Sequence, residues 1–372
     1  MKILTVTNMY PFAGERYYGS FVREHVEALR GEGVEVDVMF VNPRKGKLRY
    51  LTELPRLARA MRRGSYDVLH AQHSYCAVQT AGLRSVLEID TPLLFTIHEG
   101  EAYSSSSVGR SKTLTKRLAY WKRLKRLALD LSDHAVTVDE RLLTVLGYRG
   151  PYSVIAPAVD TELFRPLDRA QCRRRLGLAP AQEILFFPAS IARPEKGADV
   201  FKAALACLDR SVHVVYGGQI ERAEMPVYMN AADVVVQTSH FEASPMVVKE
   251  AMACDTPVVS TDVGDVSALF GAAPGCFCAD RDPHMIAAAL RRALELTGPV
   301  GARERILASG LSPACVAGRY RELYHEMSGA NRPDINRPDM TEESNGSTVA
   351  SDHTSVLGRA DRMSVVGRGE RS

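Results

Sequence analysis

The chain has 372 residues, 45% of them hydrophobic, and a net charge of +3. That length exceeds one ordinary domain and suits two of roughly 150 to 180 residues plus a tail. The seven cysteines are odd in number, scattered and without a CxxC pair, which favours small buried apolar residues in a reducing cytosol over a disulfide framework.

In chain order, Lys2 to Thr7 alternates like a strand and ends in a polar stretch, Asn8 to Ser20. From Phe21 the apolar spacing turns helical (Phe21, Val22, His25, Val26, Leu29), with a stop near Gly31 and Gly33. Val34–Val41 reads as the second strand. A basic helix follows at about 51–63, then a strand at Val68–Ala71, a helix at about 77–87 and a strand at Leu93–Ile97. A long helix at about 111–131 leads to short strands at Ala135–Val138 and Tyr152–Ile155.

The pattern then restarts, with strands at 184–187, 212–216, 234–236 and 257–260 and helices at 198–208, 245–253 and 283–296. Strands alternating with helices predict parallel sheets covered on both faces. The division is an N-terminal Rossmann-like domain (1–160), a Pro- and Arg-rich linker (161–180) and a C-terminal Rossmann-like domain (181–305). A C-terminal helix (306–327) would pack back on the first domain. The tail, 328–372, carries a tandem repeat, Asn331–Ile335 and Asn336–Met340, and its composition predicts disorder. Two such units in series face each other across a cleft, and ligands of open parallel sheets bind at the carboxyl ends of the strands.

The most informative stretch is Phe241-Glu242-Ala243-Ser244-Pro245-Met246-Val247-Val248-Lys249-Glu250-Ala251-Met252-Ala253. It directly follows a buried strand. Ser244 is a good N-cap and Pro245 suits the first helical turn, so free N–H groups at this helix start can hold a phosphate. Glu242 precedes the helix and Glu250 lies inside it. Two carboxylates so placed can accept hydrogen bonds from two sets of hydroxyls, as on a sugar and a ribose. Two glutamates eight apart also occur by chance, on a solvent face. Against that, the neighbours of Glu250 are apolar, and an unpaired carboxylate among them would be costly.

A second stretch, Pro188–Gly197, follows the first strand of the second half. Arg193 and Lys196 there could stabilise negative charge on a departing diphosphate without a metal, although a lone Arg-x-x-Lys is usually a solvated loop.

These motifs together resemble the family 4 glycosyltransferases of the GT-B fold, over Met1 to about Met327. Glu242 to Glu250 matches the family's Glu-x7-Glu motif, and Arg193 and Lys196 match its pyrophosphate-binding pair. Gly19 matches the front-domain glycine loop, and Val159–Pro166 the interdomain signature. Asp67–Ala71 and Thr96–His98 match two front-domain histidine segments, and Gly264-Asp265-Val266 a late donor-side turn.

The resemblance implies a retaining transfer of sugar from a nucleotide-sugar donor, without a clear enzymatic nucleophile and without a metal or other cofactor. His98 would lie at the reacting sugar and Glu242 would hold its hydroxyls. Glu250 would take the ribose and Arg193 and Lys196 the diphosphate. Ser244 and Met246 would present backbone N–H groups, Pro245 having none. His70 and His73 are expected to be structural or on the acceptor side. They lack the carboxylate or Cys that would complete a metal site. Asp280-Arg281-Asp282 is formally a metal motif, but Asp282 reads as the N-cap of the helix begun by Pro283.

The chain departs from the family pattern in places. Glu99 stands between His98 and Gly100, and Ala156-Pro157-Ala158 replaces a Pro-Asn-Gly turn. Gly217-Gly218 is followed almost at once by Glu224, where the family has a further strand and helix lining the nucleobase pocket.

The front half, residues 1–160, carries 23 Lys/Arg and 17 Asp/Glu, a net +6 against −3 for the remainder. Eight basic residues from Arg110 to Arg126 run without an acid and enclose the only tryptophan, Trp121. They read either as a solvated helix face or as a peripheral surface for anionic lipid, which would suit a lipid-linked acceptor. A glycan or small-molecule acceptor is equally compatible. Nucleic acid is not expected, since no binding module is recognisable. The N-terminus is too quickly polar for a signal peptide and no window reaches the ~18 apolar residues of a membrane span, so the expected location is cytoplasmic, with or without peripheral contact at the membrane. Rival readings are a sugar-nucleotide epimerase, which would consume no acceptor, and a non-catalytic binding protein on the same fold. A nicotinamide enzyme is disfavoured by the lack of GxGxxG after the first strand.

Overall fold

The computed structural model describes residues 1–15, 18–46, 48–98 and 112–329, apart from the side chains of 112–118. The Glu99 insertion, the first part of the basic run and the tail from 330 lie outside the described residues.

The front half builds a six-stranded, all-parallel sheet from β1 (Lys2–Thr7), β2 (Glu35–Phe40), β3 (Val68–Ala71), β4 (Leu93–Ile97), β5 (His134–Thr137) and β6 (Tyr152–Val154), in the order β2-β1-β3-β4-β5-β6. Its helices are α1 (Ser20–Gly31), α2 (Arg49–Thr52), α3 (Leu54–Arg63), α4 (Ser74–Val86), α5 (Lys112–Asp130) and α6 (Glu140–Leu146). The single basic helix expected near 51–63 is two. Pro55 has no N–H to donate one turn back, so α2 stops and α3 starts afresh with proline in its first turn.

The back half builds a five-stranded parallel sheet from β7 (Ile184–Phe187), β8 (His213–Tyr216), β9 (Val234–Gln237), β10 (Val258–Thr261) and β11 (Cys276–Ala279), in the order β11-β10-β9-β7-β8. Its helices are α7 (Arg169–Leu176), α8 (Ala198–Ala206), α9 (Met225–Ala231), α10 (Met246–Ala253), α11 (Val266–Phe270), α12 (Pro283–Leu294) and α13 (Ala302–Ala308). The last helix, α14 (Pro313–Ser328), lies against α1 and β3. In both sheets the chain runs outward from the first strand and then returns to its other side. The switch points, β1/β3 and β7/β9, are where such sheets open a crevice.

Alternation along the strands assigns side chains to two layers. Leu4 and Val6 of β1 join Leu69, Phe95 and Cys76 in one front core, and Leu185 and Phe187 of β7 join Phe201, Val236 and Leu290 in one back core. The opposite faces merge. Ile3, Val68 and Leu94 from the front and Phe186, Val235 and Val258 from the back belong to one continuous cluster with Val159, Phe164, Tyr320 and Tyr324. The interdomain stretch and α14 are thus the apolar mortar between the halves. Locally, the Asp160 carboxylate accepts the Glu162 and Leu163 N–H groups at 3.0 and 2.9 Å, and this turn drives Phe164 inward.

Candidate active site

The residues expected on the donor side converge at the carboxyl ends of β7, β9 and β10. Lys196 closes a short 3-10 turn, Pro194–Lys196, after β7. Its ammonium lies 2.5 Å from Glu242 Oε1, which also accepts the Ser239 hydroxyl at 2.8 Å. The pair brings together a cation from the loop after β7 and a carboxylate from the loop after β9, each about four-fifths covered. Arg193 is the exposed member and pairs with Glu195 at 2.7 Å.

Gly264, after β10, supports the Glu242 loop from behind. A Cβ there would meet the Ala243 carbonyl oxygen at 2.3 Å, and its φ of +59 favours glycine.

Helix α10 begins at Met246, one residue later than expected, with Pro245 in the N-cap place. Ser244 does not cap it. Its hydroxyl donates instead to Asp265 Oδ2 at 2.5 Å, because the Gly264-Asp265 turn brings that carboxylate to it. Asp265 lies 3.8 Å from the ammonium of Lys249, which is fully buried and donates to the Pro157 carbonyl at 2.9 Å. Burial lowers the Lys249 ammonium to about 8, with Asp265 opposing. Burial also raises the Asp265 carboxyl, with Lys249 opposing. Neither was selected from sequence as a site residue, although a lysine in so apolar a helix carries the same signal that singled out Glu250.

Glu250 is 5% exposed. It accepts a charge-assisted bond from Arg222, whose guanidinium also reaches Glu24 of α1. Burial raises the Glu250 carboxyl and Arg222 opposes the rise. Arg222 carried no signal of its own in the sequence. It sits within the shortened stretch, which places no strand between β8 and β9.

On the front half, Gly19 precedes α1 at φ +66, and a Cβ there would meet the Met9 carbonyl carbon at 2.3 Å. This close approach brings the loop after β1 over the start of α1. His98, at the end of β4, places Nε2 3.1 Å from the Gln72 side-chain oxygen and has Phe21 edge-on at 5.0 Å. His98, Gln72, Phe21, Glu24 and His25 share a cavity of about 240 Å³ with Pro157 and Asp160. Within it the Gln72 amide nitrogen and His25 Nε2 are buried without a hydrogen-bond partner among the described residues.

His70 belongs to the packing under α14. It is buried, bonded to Thr96 at 2.8 Å and to the Tyr324 hydroxyl at 2.8 Å. His73 caps α4 by accepting the Tyr75 N–H at 3.3 Å. Asp282 caps α12 through the His284 and Met285 N–H groups at 2.9 and 3.1 Å. Among the described residues no group of three His, Cys, Asp or Glu could hold a metal ion.

Of the basic run, Lys125 is buried and Arg126 bonds Asp130 at 2.8 Å. Trp121 packs on Tyr75 at 5.5 Å and His73 at 6.2 Å, while Arg123 is exposed. No helix of the described residues is long and apolar enough to cross a membrane.

Two parallel α/β sheets, with charged side chains gathered after β7 and β9, define the class of architecture, and comparison with known proteins makes the assignment specific. The model for glycosyltransferase family 4 matches residues 17–163, and that for glycosyl transferases group 1 matches residues 194–307. The chain belongs to this family of glycosyltransferases.

A D-inositol 3-phosphate glycosyltransferase from Thermobifida fusca is 30% identical over 294 residues, covering 68% of this chain and 66% of that protein. Two more proteins of that name are covered over 52% and 43% of their length, so the chain spans about half to two thirds of these curated relatives.

Among solved structures, sucrose-phosphate synthase from Thermosynechococcus elongatus superposes with a TM-score of 0.72 at 20% identity, covering 89% of this chain and all of that one. Anabaena HepE, in complex with UDP-glucose, gives 0.66 at 18% identity, covering 88% of this chain and all of that one. These likenesses establish the GT-B fold.

Proposed function

We propose that this chain is a retaining hexosyltransferase, independent of metal, that moves a sugar from a nucleotide-sugar donor to a glycan, lipid-linked or small-molecule acceptor. The carrying observation is that Glu242 is paired with Lys196 at the strand ends while Glu250 is buried on the adjoining helix.

In the transfer, the acceptor hydroxyl bonds to the anomeric carbon from the face that the diphosphate leaves, as the bond from that carbon to the diphosphate breaks, and the hydroxyl proton passes to the departing phosphate oxygen. Negative charge grows on the departing diphosphate, and Arg193 and Lys196 are the cations that meet it. Glu242 accepts hydroxyls of the transferred sugar, and His98 is the front-half residue assigned to the reacting sugar. Glu250 accepts ribose hydroxyls, and the backbone N–H groups of Ser244 and Met246 are the donors for the phosphates. The structural relative that holds UDP-glucose makes UDP-sugars the first donors to try.

The test is a thermal-shift screen of UDP-, GDP- and ADP-sugars without added metal, on wild type and Glu250→Ala. A saturable shift for one donor, absent in the variant, is expected. No shift with any donor in folded protein would sink the transferase reading and leave a non-catalytic binding protein on this fold.

A further inference from the structure

The stretch between β8 and α9 is short, and its backbone is pinned. A Cβ on Gly217 would meet the Pro188 carbonyl oxygen at 2.5 Å, and one on Gly218 would meet Ser190 Cα at 2.5 Å, so both glycines press against the loop after β7. A turn then closes from Ile220 N–H to the Gly217 carbonyl at 3.0 Å, and Glu224 N–H returns to the Glu221 carbonyl at 2.9 Å. This path delivers Arg222 to the junction of the halves. Its Nε and Nη2 fork onto the two oxygens of Glu24 at 2.9 and 3.0 Å, and Nη1 donates to Glu250 Oε1. The Phe164 ring lies beneath the guanidinium at 5.1 Å. One planar cation therefore joins a front-domain carboxylate, a donor-side carboxylate and the interdomain segment.

We propose that Arg222 is a positioning residue for donor binding: it holds the Glu250 carboxylate ionised and oriented for the donor ribose and ties it to the front domain through Glu24. The proposal rests on the donor-side reading of Glu250. Arg222 engages Oε1 and leaves Oε2 to accept a ribose hydroxyl. The charged and titratable groups facing Glu250 are Arg222, Glu24 of α1 and Cys254 one turn along α10. Arg303 of α13 is engaged elsewhere, on the carbonyls of Phe164, Ala253 and Thr161. Arg222 is thus the cation that offsets burial at Glu250. Without it, burial goes unopposed, the carboxyl rises further, and its protonated form is a poorer acceptor for the ribose hydroxyl. Because a raised carboxyl loses its charge as pH falls, donor affinity in such a variant should fail at a higher pH than in the wild type.

The experiment measures the dissociation constant of UDP-glucose, or of whichever nucleotide sugar the wild type binds, by calorimetry from pH 6 to 9 on the full chain. Arg222→Gln should bind about tenfold more weakly at the low end of this range and lose less as pH rises, while Arg222→Lys, which keeps the charge without the fork, should keep the wild-type pH profile at a weaker affinity. Glu24→Gln, which leaves the Arg222–Glu250 bond in place, should weaken binding a few-fold with the wild-type pH profile. Thermal melts check that each variant folds, and Glu24→Gln carries the test should Arg222→Gln not fold. Wild-type affinity and profile in Arg222→Gln would overturn the proposal. So would tighter binding, or a loss that is flat with pH and not rescued by lysine, and so would unchanged affinity in Glu24→Gln. A wild type that binds no nucleotide sugar would overturn the donor-side reading itself, and this inference with it.

Discussion

Gly264 illustrates how single residues set the site. Its positive φ and its 2.3 Å approach to the Ala243 carbonyl leave no place for a side chain, and the obstacle is backbone, which cannot rotate away. Gly264→Ala should therefore destabilise the protein by about 2 kcal/mol, from left-handed strain and a displaced Glu242 loop. Donor affinity should fall with it. Denaturant unfolding and a donor titration check both, and wild-type values in each would show that the loop accommodates the methyl group. The glycine was visible in the sequence as part of a donor-side turn, but the surface it presses on was not.

At the scale of the element, α10 departs from an ordinary amphipathic helix. It is eight residues long and buries two adjacent charges, Lys249 and Glu250, which point to different partners. Glu250 meets Arg222, whereas Lys249 meets Asp265 and the Pro157 carbonyl. Lys249→Met removes the cation and leaves the half-buried Asp265 with the Ser244 hydroxyl but no opposite charge, so a loss on the order of 2 kcal/mol is expected. Adding Asp265→Asn to that variant should recover part of the loss. Unfolding free energies of the two variants test this, and additive losses would disprove the coupling. From sequence, Glu250 was selected because its neighbours are apolar; the same argument applies to Lys249, whose partners lie 16 and 92 residues away and leave no local trace.

Across the whole molecule, α14 closes the front half over the buried His70 and the half-buried His25. His70 is bonded on both ring nitrogens, to Thr96 and Tyr324, and stacks on Tyr320 at 5.6 Å. The His25 ring meets Tyr320 at 4.5 Å. Burial, with His98 adding, holds His25 at about 3, and burial holds His70 well below the ordinary range. Unfolding frees both to protonate near 6.5, so the unfolded chain binds more protons below that pH and stability falls as pH drops from there toward 3. Each histidine should cost about 1 kcal/mol between pH 7.5 and 5.5. Unfolding curves at the two pH values measure it, and a His70→Gln variant should show a shallower decline. A pH-independent stability would mean that these rings protonate in the folded state.

The sequence by itself determined the two parallel-sheet halves, because strand alternation and helical spacing are local signals. It also singled out Arg193, Lys196, Glu242 and Glu250 around two strand-to-helix junctions, and the family resemblance added Gly19 and His98. Tertiary structure alone decided which charges meet. Ser244 gives its hydroxyl to Asp265 rather than to its own helix, Lys196 closes on Glu242 across 46 residues, and Arg222 joins Glu24 and Glu250 from opposite halves. The reason is physical: secondary structure follows from neighbours a few residues apart, whereas the pairing of a buried charge depends on which distant strand end the fold brings beside it.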